Sequence, residues 1–215
     1  MYLSKKAATA SLRSMRDFYR DLSSVFKKHD MSIEGNTGRR NALLSQAQEH
    51  YFSRELKSLY PTTENDGRTG KPDILIPEIG VELECKLTTP SPTGGITFQA
   101  DKECFGDSGK DFLYVIADDS FEKFAVLHFK SLQRSDFSHH IESSKGKVRM
   151  RKSLTFDRCT VLHGSYEPRS STMLKKIEAE LSVKRPGTKT YQKLLERKKY
   201  WEESNESFSV ELTPV

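Results

Sequence analysis

The chain is short of cysteine, short of apolar residues and without a long hydrophobic run, and each shortage excludes a class of protein. Its three cysteines, Cys85, Cys104 and Cys159, are odd in number, far apart and never in a CxxC pair. That argues against a disulfide framework and a structural zinc site, and favours a reducing cytosol. Nowhere do the roughly 18 consecutive apolar residues of a membrane span occur, and the N-terminus carries no run resembling a signal peptide. The expectation is a soluble, cytoplasmic protein with no membrane partner. The six histidines show no HExxH or paired zinc spacing, and His139-His140 reads as a polar loop pair. No serine sits in GxSxG and no Gly-rich loop ends in GK[ST], so serine-hydrolase and P-loop chemistry have no support.

What is present suits a compact enzyme with much polar surface. The 215 residues suffice for one domain with a single core, or one domain and a small appendage. Hydrophobic residues make up 35% and charged residues 30%, yet 12 Phe and 8 Tyr supply core-forming runs that a disordered chain lacks. A net charge of +5 is compatible with a polyanionic partner, and equally with a solvated surface.

Residues 3–28 predict a helix, because Leu3, Ala8, Leu12, Met15, Tyr19, Leu22 and Phe26 form one apolar stripe. A second helix is predicted over 40–60, with Leu44, Tyr51, Phe52, Leu56 and Leu59 on one side and Pro61 stopping it. The period then changes. "DILI", the turn "PEIG" and "VELECKL" read as a β-hairpin. In its second strand Val81, Leu83, Cys85 and Leu87 alternate with Glu82, Glu84 and Lys86, so apolar and charged residues take opposite faces. A short helical stretch is expected over 98–105. Strands follow at "FLYVIA", whose lack of alternation suits burial on both faces, at "FAVLHF" and near "CTVLHG". One or two charged helices between about 172 and 203, broken at Pro186-Gly187, complete the chain, with Trp201 packing the last. The order implies an α/β (α+β) fold, a mixed central sheet flanked by helices.

The hairpin carries the chemistry. If its strands pair, Asp73 lies near Glu84 and Lys86 on one side of the sheet. Two carboxylates brought together repel, and a divalent cation removes the repulsion. A small number of hard oxygen donors, leaving room for water and phosphate, is what Mg²⁺ takes. A lysine beside them can approach a metal-bound water or a phosphate oxygen. The bland account is a hairpin with one solvated face, its Glu and Lys ordinary cross-strand partners. Glu82, on the same face, is either a further ligand or solvated.

Pro72-Asp73, ten intervening residues, then Glu84-Cys85-Lys86 resembles the PD-(D/E)XK motif of restriction endonucleases and related nucleases. The resemblance spans about residues 40–130. It implies a restriction-endonuclease-like core, Asp73 and Glu84 on Mg²⁺ with the backbone carbonyl of Cys85, and Lys86 assisting the attacking water. It also implies a carboxylate on the preceding helix. Glu49, followed by Phe52 and Leu56, matches the family's spacing, whereas Glu55 sits nearer the middle of the apolar stripe; Glu49 is favoured.

The whole of 1–215 then reads as one nuclease domain, with an N-terminal helix over 1–35, a catalytic core over 40–130 and a DNA-contacting, helical part over 131–215. Gln99 and Lys102 on the expected crossing helix point at the site or at DNA. Arg39, Arg40, Lys71 and the run Lys145, Lys147, Arg149, Arg151 and Lys152 are candidate phosphate contacts; every second residue of that run is basic through Arg151, so an extended backbone would show one cationic edge. The function expected is Mg²⁺-dependent hydrolysis of double-stranded DNA by a type II restriction enzyme. One active site per chain calls for a homodimer on a roughly palindromic target, with a DNA methyltransferase as genetic partner. A repair, recombination or phage nuclease with the same core, or a DNA-binding protein that cuts nothing, are the alternatives.

Overall fold

Ser4 accepts a hydrogen bond from the Ala7 amide at 3.1 Å and so starts α1, Lys5–Lys28. Ala8, Leu12, Met15 and Tyr19 of this helix are buried, the stripe that the sequence predicts, and Lys27 and Lys28 sit favourably in its last turn. Asn36 caps α2, Thr37–Lys57, by accepting from the Arg39 amide at 3.0 Å. The computed structural model describes residues 1–66, 68, 71–91, 95–105, 109–138, 146–203 and 208–215. Lys145, His139 and His140 lie outside the described residues, as does the side chain of Trp201.

The hairpin forms with β1, Ile74–Ile76, antiparallel to β2, Val81–Thr88. A 3₁₀ turn over Pro77–Ile79 joins them and ends on Gly80, whose φ of 62° favours glycine. After β3, Gln99–Asp101, the chain enters β4, Lys110–Ala117, which runs parallel to β2 with Glu84 beside Phe112 and Lys86 beside Tyr114. β5, Lys123–Leu132, is antiparallel to β4. After β6, Lys147–Arg149, and α3, Lys152–Thr155, comes β7, Cys159–His163, which pairs antiparallel with β5.

The sheet is mixed and buried on both sides. Leu83, Cys85, Leu113, Val115 and Val126 pack with α1 and α2 residues such as Leu12, Met15, Leu44 and Phe52. On the other face Phe98 stands edge-on to Tyr114 and Phe156, with ring centroids 4.9 and 5.6 Å apart. Phe105 and Phe137 close on Phe112 at 5.7 and 5.5 Å. Such edge-on and tilted ring pairs add about 0.5–1.5 kcal/mol each beyond their buried area. β4 therefore has no wet side, as its unbroken apolar run implies.

The helix expected over 98–105 is not formed. That segment is β3 and a 3₁₀ turn over Lys102–Cys104. Ile96, Phe98 and Ala100 are buried at every second position, a strand period, and they seat the segment on the aromatic face. β3 pairs with β6 in a two-stranded ribbon.

The described residues divide into two compact units, 1–165 with 211–215, and 166–210. β7 and β10, Thr213–Pro214, both pair with β5 and so belong to the first unit. The second unit contains α4, Arg169–Ser182, and α5, Lys189–Glu203, on either side of Pro186-Gly187. Ile177 and Leu194 are buried there, and Lys198 meets Glu178 at 2.9 Å. The strands β8, Ser165–Pro168, and β9, Phe208–Glu211, pair with each other. No helix among the described residues is long and apolar enough to cross a membrane.

Candidate active site

The hairpin register aligns Ile74 with Leu83, and one further step sets Asp73 opposite Glu84. Asp73 Oδ2 accepts a hydrogen bond from the Cys85 amide at 2.7 Å, which ties the carboxylate to the strand carrying Glu84 and Lys86. The Cys85 side chain takes the opposite face, within the core, where burial pushes its thiol well above the ordinary range.

Glu84 is only 6% exposed. A solvated strand face does not account for a carboxylate so placed. Charge at such depth needs a partner, and the Lys86 ammonium supplies it, donating to Glu84 Oε1 at 2.6 Å. Burial raises the Glu84 pKa, Lys86 opposes that, and Asp73 adds to it. For Lys86, burial acts to lower the pKa, but Glu84, Asp73 and Asp101 outweigh it and hold the ammonium firmly charged. Glu82, on the same face, pairs with Lys110 at 3.0 Å, and the Lys110 ammonium also acts to lower the Glu84 pKa.

The two helical carboxylates part company. Glu49 is half-buried, and its pKa rises from 4.5 to about 7, first through burial and then through Asp73 and Glu84, with Lys86 opposing. Glu55 pairs instead with Arg54 at 3.1 Å. Three carboxylates, Glu49, Asp73 and Glu84, thus act on one another beside the ammonium of Lys86, with that of Lys110 also acting on Glu84. Among the described residues no group of three His, Cys, Asp or Glu is gathered tightly enough to hold a metal ion unaided.

The basic candidates scatter. Arg39, Lys71, Lys102, Lys147, Arg149 and Arg151 are exposed, and Gln99 is half-buried on the ribbon. Arg40 is corrected from phosphate contact to core strut. It is 1% exposed, and its guanidinium donates to the Asp118 carbonyl at 3.1 Å, to that of Asp119, and to Thr89 Oγ1 at 2.7 Å. Lys152 also turns inward, donating to the Ile96 carbonyl at 2.9 Å with its ammonium 5.4 Å from the Phe98 ring centre, and burial lowers its pKa.

Two residues that the sequence did not single out stand at the site. Asp101 lies 3.8 Å from Lys86 Nζ, and Lys110 faces Glu82. The alternation of Ile96, Phe98 and Ala100 would have marked a strand with Gln99 and Asp101 on its outer side. Comparison with protein-family models, curated proteins and solved structures finds no match to this chain.

Proposed function

We propose that the protein is a Mg²⁺-dependent endonuclease of double-stranded DNA, with a restriction-endonuclease-like core and the habits of a type II restriction enzyme. The observation that carries this reading is the burial of Glu84 against Lys86 with Asp73 bound to the intervening amide. The donor set suits Mg²⁺: Asp73, Glu84 and Glu49 offer only hard oxygens, with the Cys85 carbonyl nearby in the chain. Burial raises the Glu49 pKa first, and Asp73 and Glu84 add to it; that repulsion is what a divalent ion offsets. When bound, the ion supplies Lewis acidity and neutralises charge at the phosphate.

The chain's own groups do the rest. Asp73 and Glu84 orient their oxygens through the amide and ammonium that they accept from. Lys86, permanently charged, can stabilise negative charge developing on a phosphate oxygen or hydrogen-bond the attacking water. Glu49, poised near neutrality, can hold or release a proton there. One such centre per chain cuts one strand, so a homodimer serves a two-strand cut. A cytoplasmic enzyme of this kind requires a DNA methyltransferase to protect host sites.

Plasmid digestion tests the reading. With Mg²⁺ the protein should yield discrete fragments, and Asp73→Ala and Glu84→Ala should abolish cutting while retaining DNA binding, since carboxylates facing phosphate repel it. Wild-type cutting by Asp73→Ala would remove the site. Nicks or smears would favour a repair or phage nuclease, and binding without any cutting would leave a DNA-binding protein.

A further inference from the structure

The ribbon β3–β6 brings charge to the edge of the site. Its register sets Gln99 opposite Arg149, Ala100 opposite Val148 and Asp101 opposite Lys147. Ala100 and Val148 are buried, so the ribbon's other face carries Asp101, Lys147 and Arg149 outward. The ribbon is firmly seated. Tyr114 Oη donates to the Gln99 carbonyl at 2.8 Å, the Met150 amide to that of Phe98 at 2.8 Å, and the Lys102 amide to that of Gly146 at 2.7 Å. Tyr114 is also the β4 neighbour of Lys86. One ring therefore anchors the ribbon beside the strand that bears the lysine.

Lys86 stands between two carboxylates of different character. Glu84 is buried and hydrogen-bonded to it, while Asp101 is 56% exposed and 3.8 Å away, close enough for charge and too far for a hydrogen bond. Directly across the ribbon from Asp101 is Lys147, and cross-strand partners of opposite charge attract. Asp101 is thus flanked by an ammonium of the site and an ammonium of an open basic face. We propose that the exposed face of this ribbon receives the DNA backbone next to the cleaved bond through Lys147 and Arg149, and that Asp101 is a positioning residue that sets Lys86.

This rests on the nuclease reading and adds to it the surface that holds substrate and the group that couples it to the lysine. Phosphates at Lys147 and Arg149 engage those cations and leave Asp101 to act on Lys86. Without Asp101 the lysine answers to Glu84 and Asp73 and loses its one exposed carboxylate neighbour among the described residues.

Asp101 and Lys147 are exposed, so their substitution spares the core. In single-turnover cleavage at saturating duplex DNA, Asp101→Asn should slow the rate about tenfold with Kd little changed, and Asp101→Glu should restore most of it. A purely structural role for Asp101 would move neither the rate nor the rescue. The double variant Lys147→Ala, Arg149→Ala should raise Kd by about tenfold or more and lower the slope of log Kd against log salt by roughly one per cation lost. Wild-type cutting by Asp101→Asn, or an unchanged Kd and slope in the double variant, overturns the inference and leaves the nuclease standing. A wild-type protein that neither binds nor cuts DNA overturns both.

Discussion

Glu84 and Lys86 sit two residues apart on one strand, so the pleat itself delivers the ammonium to the buried carboxylate. Lys86→Ala should retain Mg²⁺ and DNA binding while single-turnover cleavage falls on the order of a hundredfold, as when one transition-state donor is lost. Arginine keeps the charge, but its planar fork does not fit the place of a compact ammonium, so Lys86→Arg should recover little. Near wild-type cutting by Lys86→Ala would take the lysine out of the mechanism. Glu49 offers a test that needs no substrate. Its folded pKa of about 7 exceeds its ordinary 4.5, so its contribution to stability is complete below pH 4.5 and lost as pH rises through 7. In metal-free buffer the melting temperature should fall across that window by the equivalent of ~1–2 kcal/mol, after allowance for solvent screening. Glu49→Gln, neutral throughout, should flatten the fall; identical pH profiles for the two proteins would show that burial and the neighbouring carboxylates do not raise the Glu49 pKa.

Among the elements, α2 does the most to position the site. It carries Glu49, and its neighbour Gln48 donates to the Leu113 carbonyl of β4 at 3.1 Å, tying helix to sheet. Near its start, Arg40 reaches the carbonyls of Asp118 and Asp119 in the turn between β4 and β5. The guanidinium's fork serves several acceptors at once, which an ammonium on a shorter reach does not. Arg40→Lys should therefore destabilise the fold by about 1–3 kcal/mol, the cost of leaving buried acceptors unpaired. Its effect on DNA affinity should not depend on salt. A stable Arg40→Lys protein with a reduced salt slope would return Arg40 to the phosphate contacts.

For the molecule as a whole, the electrostatics of the centre predict linkage between metal and stability. Any ion that binds the folded chain and not the unfolded one stabilises it by mass action, about 2.7 kcal/mol at a hundred times Kd. Added Mg²⁺, or Ca²⁺ as a substitute, should raise the melting temperature most above pH 7, where Glu49 is charged. The rise should vanish in the Asp73→Ala, Glu84→Ala double variant. Calorimetric melts at several metal concentrations measure this directly, and a metal-independent melt of the wild-type protein would deny the site its ion.

Local pattern alone determined α1, α2, the β1–β2 hairpin and the buried strand β4, because each is set by a period of apolar residues or by a cap and turn within a few positions. The convergence of Asp73, Glu84 and Lys86 was legible for the same reason, since a tight hairpin leaves one register that buries Leu83 and Ile74 together. Tertiary structure decided the rest. Glu49 and Glu55 share one helix, and only packing against β2 shows which of them meets Asp73. Arg40 and Lys152 look like surface cations in sequence, yet buried acceptors and an aromatic ring draw them inward. Asp101 reaches Lys86 through a ribbon whose strands are separated by some 45 residues of chain, and no local period records a pairing made over that distance.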